Sequence, residues 1–350
     1  MILTIYDWII IIGYIVFALG VGIYFSKRAG KNLSEYFISG RNLPWWIAGT
    51  SIIATTFAAD TPLAITGMVV NNGIAGNWLW WNFAISHMLA VFFFAKLWRR
   101  AEIITDVELI EIRYSGKPAS ALRGFRAIYE GIIMNGIVMG WVTLAMTKIL
   151  GVFFDFDKWL AILICAIIAI SYTLLSGFWG VVITDFFQFF IAMFGCTVLA
   201  IIVSDKLGGI AALHKNLDPE VFNFFPKIGG SLMPVTAFVA YISVNWWASK
   251  VADGGGYIAQ RMFAAKNEKH SILAMLWYNI GHYALRPWPW IVVALFSMIA
   301  YQNLPDPELG YPKMIADFMP AGLKGLMVAS FLAAFMSTID TQINWGSSLI

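Results

Sequence analysis

The chain has 350 residues, 60% of them hydrophobic and only 12% charged, with a formal net charge of +3. Soluble globular proteins carry roughly 25% charged residues, so the composition excludes a soluble domain held by a single anchor and points to a polytopic membrane protein. The two cysteines, Cys165 and Cys196, lie inside apolar runs and form neither a disulfide framework nor a metal motif.

About 20 apolar residues cross a hydrocarbon core about 30 Å thick. Nine spans are expected, at 5–25, 44–70, 77–97, 127–152, 159–176, 178–204, 234–250, 271–301 and 321–347. The first is not a signal peptide, because its apolar run is too long and it lacks a basic n-region and a small-residue cleavage site. The second, PWWIAGTSIIATTFAADTPLAITG, carries Asp60 and Pro62 near its centre, behind Ala58 and Ala59. A carboxylate at mid-bilayer depth costs about 2.5–3.5 kcal/mol on insertion scales, and Pro62 removes a backbone donor. A span that tolerates both is expected to be interrupted there, with carbonyl oxygens exposed as in the broken helices of secondary transporters.

Basic residues set the orientation. The loop after the first span carries Lys27, Arg28, Lys31 and Arg41, the loop at 98–126 carries six basic residues, and the loop at 251–270 carries Arg261, Lys266 and Lys269. The alternate loops are poorer, so the basic loops are expected in the cytoplasm and the N-terminus outside, in a cell (inner or plasma) membrane. Trp45-Trp46, Trp80-Trp81, Trp98 and Trp159 read as aromatic belts. VELIEIRYSG reads as a short interfacial helix, and 303–320, with Pro305, Pro307 and Pro312, as an external loop. Gly136 and Gly140 form a GxxxG expected to let two helices approach. The chain stops at Ile350 within or just after an apolar span, which suggests a piece of a longer protein.

Four stretches carry a resemblance: SGRNLPWW at 39–46 with the broken second span, SGFWGVVITDFFQ at 176–188, GYIAQRMFAAKNEKHSI at 256–272, and LAAFMSTIDTQ at 332–342. Together they resemble the sodium:solute symporter family, which includes sodium-coupled proline, sialic acid, pantothenate and sugar transporters. The resemblance implies an all-α LeuT-type fold of two inverted five-helix repeats with one extra N-terminal helix. Residues 1–43 would be that helix and its loop, 44–204 the first repeat, and 234–350 the first three helices of an incomplete second repeat. The implied activity is sodium-coupled symport of a small organic solute by alternating access, with a proton-coupled symporter or a sensor built on the same fold as alternatives. An enzyme is not expected: the four histidines form no HExxH, and a GxSxG elbow is absent. No nucleic-acid or protein partner is inferable.

By the resemblance, the sodium ligands fall on the carbonyls of Ala58, Thr61 and Ala334 and the hydroxyls of Ser337 and Thr338, with Asp60 supporting the cation. Taken alone, Ser337 and Thr338 would merely bond the preceding turn. Asp185 matches the family's acidic second-ion position, while Asp340 and Thr341 fall where serines are usual, so Asp340 departs from the pattern. Two close carboxylates cannot both stay ionised without a cation or a proton. The alternative places Asp340 in the cytoplasmic vestibule and pairs Asp185 with a lysine or arginine. Arg286 is either interfacial or paired with a substrate carboxylate, Asp60 or Asp185. The solute candidates are Trp80, Trp81 and Asn82, then Asn245, Trp246 and Trp247, then Tyr278, Asn279 and His282, each of which could equally be a packing residue.

Overall fold

A computed structural model describes residues 3–154, 157–248 and 252–350, without the side chains of residue 29 and residues 168, 169 and 172–176. The end of the expected seventh span, residues 249 and 250, and Val251 of the following loop lie outside the described residues, as does the side chain of Ser176. The described residues are almost wholly helical. Helix α1 is Ile5–Ala29. The second span is two short helices, α2 (Trp45–Thr55) and α3 (Thr61–Asn72), separated at the expected break. Then follow α4 (Ile74–Arg100), α5 (Gly116–Phe153), α6 (Lys158–Lys206), α7 (Val235–Ala248), α8 (Tyr257–Ala264), α9 (Glu268–Ala300), α10 (Gly310–Phe318) and α11 (Leu323–Leu349).

Six stretches among the described residues are long and apolar enough to cross a membrane. The nine-span expectation differs for physical reasons. The second span is divided by its break, the fifth and sixth are two arms of α6, and the described part of the seventh, Val235–Ala248, is shorter than a full span. These arms meet at Gly177, whose φ of 52° and ψ of −177° favour glycine.

α11 is buried along nearly its whole length, packed by α6, α1 and α5. α9 spans both halves of the broken helix: its first part packs on α2 and its last part on α3. Between these parts α9 widens into a π-turn at Ile280–Leu285 and restarts at Pro287 in the first turn of the next segment. Proline is tolerated there because the first N–H groups of a helix have no partner within it. Gly49 lets α2 approach α9, since a Cβ there would lie 2.6 Å from the Ala274 carbonyl oxygen.

Several expectations are corrected. Residues 310–318 form a helix instead of continuing the loop, because Pro312 falls in the first turn and Tyr311, Met314 and Ile315 bury one face. Gly136 and Gly140 pack against nothing within 4 Å of a built Cβ, so their GxxxG brings no helix close. The close approach is made instead by Gly131 and Gly346, between α5 and α11. Trp81 and Trp98 are packed inside the protein and are not belt residues, whereas Trp46 and Trp159 are exposed. Arg261, expected in a cytoplasmic loop, is wholly buried on α8.

Candidate functional site

The chain leaves helical geometry after Thr55 and resumes it at Thr61, with Pro62 in the first turn of α3. Residues 56–60 therefore lie between the C-terminal, carbonyl end of one half-helix and the N-terminal, amide end of the other. Such ends carry partial charges of opposite sign. A cavity of about 760 Å³ opens on this break. Its deep walls include Thr55, Ala58, Asp60, Thr61, Trp80, Tyr278, His282, Tyr283 and Thr338. The same cavity is also lined by Asp106, Arg113, Arg126 and Asp253, which belong to the basic segments 98–126 and 251–270.

α11 faces the break from the other side. Thr338 donates to the Thr55 carbonyl (3.2 Å) and to the Ala334 carbonyl one turn back (3.0 Å). The Ala58 carbonyl accepts from the Thr61 N–H at 3.1 Å. The expected sodium residues Ala58, Thr61, Ala334 and Thr338 are thus gathered around one junction. Ser337 points elsewhere and donates to Asp185 at 2.5 Å.

Asp185, on α6, is wholly buried and also accepts from Ser51 at 2.6 Å and, more weakly, from Thr55 at 3.4 Å. The Arg261 guanidinium stands 3.6 Å away. Arg261 also donates to Thr341 (2.8 Å), Thr55 (3.0 Å) and Ser51 (3.2 Å), and stacks over Phe178. The expectation that Asp185 pairs with a basic residue is met, by an arginine not considered for the role. Asp340 is not in the vestibule. It has no exposed surface, neither carboxylate oxygen has a well-aligned hydrogen bond, and its charged neighbours are Asp185 and Arg261.

The interfacial expectation for Arg286 is overturned. The side chain is fully buried at the restart of α9, and it donates to the carbonyls of Ile53 and Thr56, each at 2.7 Å. It forms an ion pair with neither Asp60 nor Asp185 and does not line the cavity. The Asp60 carboxylate lines the cavity, and one of its oxygens has no partner.

Among the solute candidates, Trp80, Tyr278 and His282 line the cavity. Trp80 lies against His282 with ring centroids 4.6 Å apart, and His282 Nδ1 shares a hydrogen bond with Thr56 Oγ1 at 3.0 Å. The others are turned away. Trp81 packs on Phe224 and Trp288. Asn82 donates back to its own helix and accepts from Asn245, while Asn279 donates to the His87 and Met275 carbonyls. Trp246 does not line the cavity, and Trp247 is 58% exposed. Sequence reasoning missed Thr55, Thr56, His87, Tyr283 and Arg261. His87 and Tyr283 share a 2.7 Å hydrogen bond in the cavity wall. The signal for Arg261 lay in its neighbours: Tyr257 and Ile258 one turn before it and Ala264 and Ala265 one turn after it are apolar.

An all-α chain built around a broken helix that faces a polar, buried ninth span is the architecture of a LeuT-type secondary transporter. A family model of the sodium:solute symporter family matches residues 36–350, and the chain belongs to that family. It is a multi-pass membrane protein. It is 25% identical to a sodium/glucose cotransporter 4 of Danio rerio over 98% of this chain and 57% of that one. It is 26% identical to a sodium/glucose cotransporter of Vibrio parahaemolyticus over 95% of this chain and 65% of that one. A sodium/sialic acid symporter of Proteus mirabilis is 24% identical over 98% of this chain and 69% of that one. The chain thus spans roughly half to two thirds of the length of such relatives. The solved structure of a Na+-coupled sialic acid symporter, in a substrate-bound outward-open state, shares the fold with a TM-score of 0.82 at 23% identity, over 99% of this chain and 72% of that one.

Proposed function

We propose that the protein is a sodium-coupled symporter that moves a small organic solute, a sugar, amino acid or carboxylate, by alternating access. The observation that carries this reading is the cluster of oxygens where α11 meets the break: the Thr338 hydroxyl and the carbonyls of Thr55 and Ala334, with Ala58 and Thr61 across the junction. Sodium takes several oxygen ligands, and unwound carbonyls with hydroxyls supply them without a net protein charge. In the proposed site the ion exchanges the internal bonds of Thr338 for coordination by Ala58, Thr61, Ala334 and Thr338. Ser337 joins by turning from Asp185, and Asp60 adds its charge.

Residues 44–204 then act as the first repeat and 234–350 as the opening helices of the second, behind the extra helix at 1–43. The basic loops face the cytoplasm of an inner or plasma membrane and the N-terminus lies outside. The lining of the cavity by residues of the basic segments fits an inward-facing state. Trp80, Tyr278, His282 and Tyr283 form the wall that receives the solute.

Asp340 completes the reading. A wholly buried carboxylate without a well-aligned hydrogen bond is costly unless its charge is balanced. Arg261 already balances Asp185, so Asp340, with Thr341, takes one further monovalent cation. One charge crossing about 100 mV supplies about 2.3 kcal/mol, and a roughly tenfold gradient adds about 1.4 kcal/mol. Together these support a few-hundredfold accumulation for each ion coupled.

The test is uptake into proteoliposomes from pooled sugars, amino acids and small carboxylates, with and without a sodium gradient. Uptake that needs sodium and is lost in Ser337→Ala/Thr338→Ala is expected. Accumulation of some pool without any sodium requirement refutes the coupling.

A further inference from the structure

The buried guanidinium at the break has no assigned work. The last carbonyls of a helix lack the amide partners of its interior, so at the end of α2 the Ile53 carbonyl accepts from the Thr56 hydroxyl at 3.0 Å and has room for a second donor, and the end of a helix carries a partial negative charge. In broken-helix transporters such carbonyl ends are where monovalent cations bind. Here the position is already filled. Arg286 donates from one terminal nitrogen to the Ile53 carbonyl and from the other to the Thr56 carbonyl, both at 2.7 Å. Its guanidinium carbon lies 5.3–5.8 Å from the ring centres of Trp290, Phe57 and Trp80. The aromatic faces add cation–π attraction and keep water out.

The placement follows from the local chain. The π-turn at Ile280–Leu285 and the restart at Pro287 set Arg286 where α9 passes from α2 to α3, opposite the break. We infer that Arg286 is a built-in cation that occupies the carbonyl end of α2 in place of a coupling ion and holds the break in shape. It is a positioning residue and not a solute contact, since it lies behind the cavity wall. It reaches the cavity through Thr56, whose hydroxyl lies 3.4 Å from Arg286 and is hydrogen-bonded to His282, which lines the wall beside Trp80.

The inference rests on the sodium-coupled reading for its ion count and stands apart from it in a second readout. Sodium titrations of uptake would compare the wild type with Arg286→Ala and Arg286→Lys. Freeing the carbonyl end admits one more ion, so the sodium Hill coefficient of Arg286→Ala is expected to rise by about one over the wild type and to return when guanidinium is added. Arg286→Lys keeps the charge and is expected to keep the wild-type coefficient at a lower maximal rate. An unchanged coefficient in Arg286→Ala, or a raised one in Arg286→Lys, overturns the inference.

The second readout is the thermal midpoint in detergent without sodium or solute. Guanidinium is expected to raise that of Arg286→Ala by several degrees while leaving the wild type alone. No selective rise refutes the built-in cation even if wild-type uptake needs no sodium. If Arg286→Ala does not assemble, growth and purification with guanidinium recover it under the inference, and failure of that rescue counts against it.

Discussion

Replacing Arg261 by methionine removes the counter-ion of Asp185 while keeping much of the volume. The guanidinium and carboxylate are 3.6 Å apart and neither side chain is exposed. At an effective dielectric of about 20, that separation corresponds to about 5 kcal/mol of attraction. Forming the pair also costs desolvation, so its net worth is smaller. Breaking it from one side still leaves Asp185 uncompensated beside Asp340, and such changes cost about 3–5 kcal/mol. Arg261→Met is therefore expected to destabilise the protein by about that much. Asp185→Asn added to it should recover most of the loss, because the orphaned charge disappears while Ser51 and Ser337 keep an oxygen to bond. The assay is reversible unfolding in mixed micelles of the two single variants and the double, read as a cycle. A cost below about 1 kcal/mol for Arg261→Met, or additive single costs, refutes the charge-balance argument. Sodium should also protect Arg261→Met more than the wild type, since an ion can then fill the vacated place.

Three further outcomes are expected. Gly49→Ala sets a Cβ against the Ala274 carbonyl and the Trp277 ring, so overpacking should cost about 1–3 kcal/mol in the same unfolding assay. Trp80→Ala removes the ring packed at a tilt against His282 and is expected to raise the solute half-saturation more than the sodium one, as measured by paired uptake titrations. Asp106, in the loop before α5, has its carboxyl held above the usual range by burial and then by Glu130, against a hydrogen bond from the Gly256 N–H and the charge of Arg126. The folded state then holds that proton more tightly than the unfolded one. Stability should fall as pH rises from the ordinary carboxylate value through the raised folded one. Asp106→Asn should flatten this slope, as followed by thermal midpoints across acidic buffers.

The membrane composition, most of the long spans and the interruption at Asp60-Pro62 were legible in the sequence, because they rest on local hydropathy and on the backbone chemistry of one proline. The pairing of that break with Thr338 on α11 was legible through the family pattern in LAAFMSTIDTQ. The partners of the buried charges were not. Arg261 and Arg286 sit in segments that local polarity assigns to a loop or an interface. Their burial depends on which helices pass them: α8 turns Arg261 toward Asp185, and the π-turn of α9 aims Arg286 at the carbonyls of α2. The same holds for the solute candidates, where adjacent residues such as Trp80 and Trp81 face opposite ways, one into the cavity and one onto Phe224. The sequence by itself determined a membrane chain of broken-helix type and its family. The tertiary structure alone decided which charge meets which, because a charge far along the chain becomes a neighbour only once packed helices exclude the water that would otherwise solvate it.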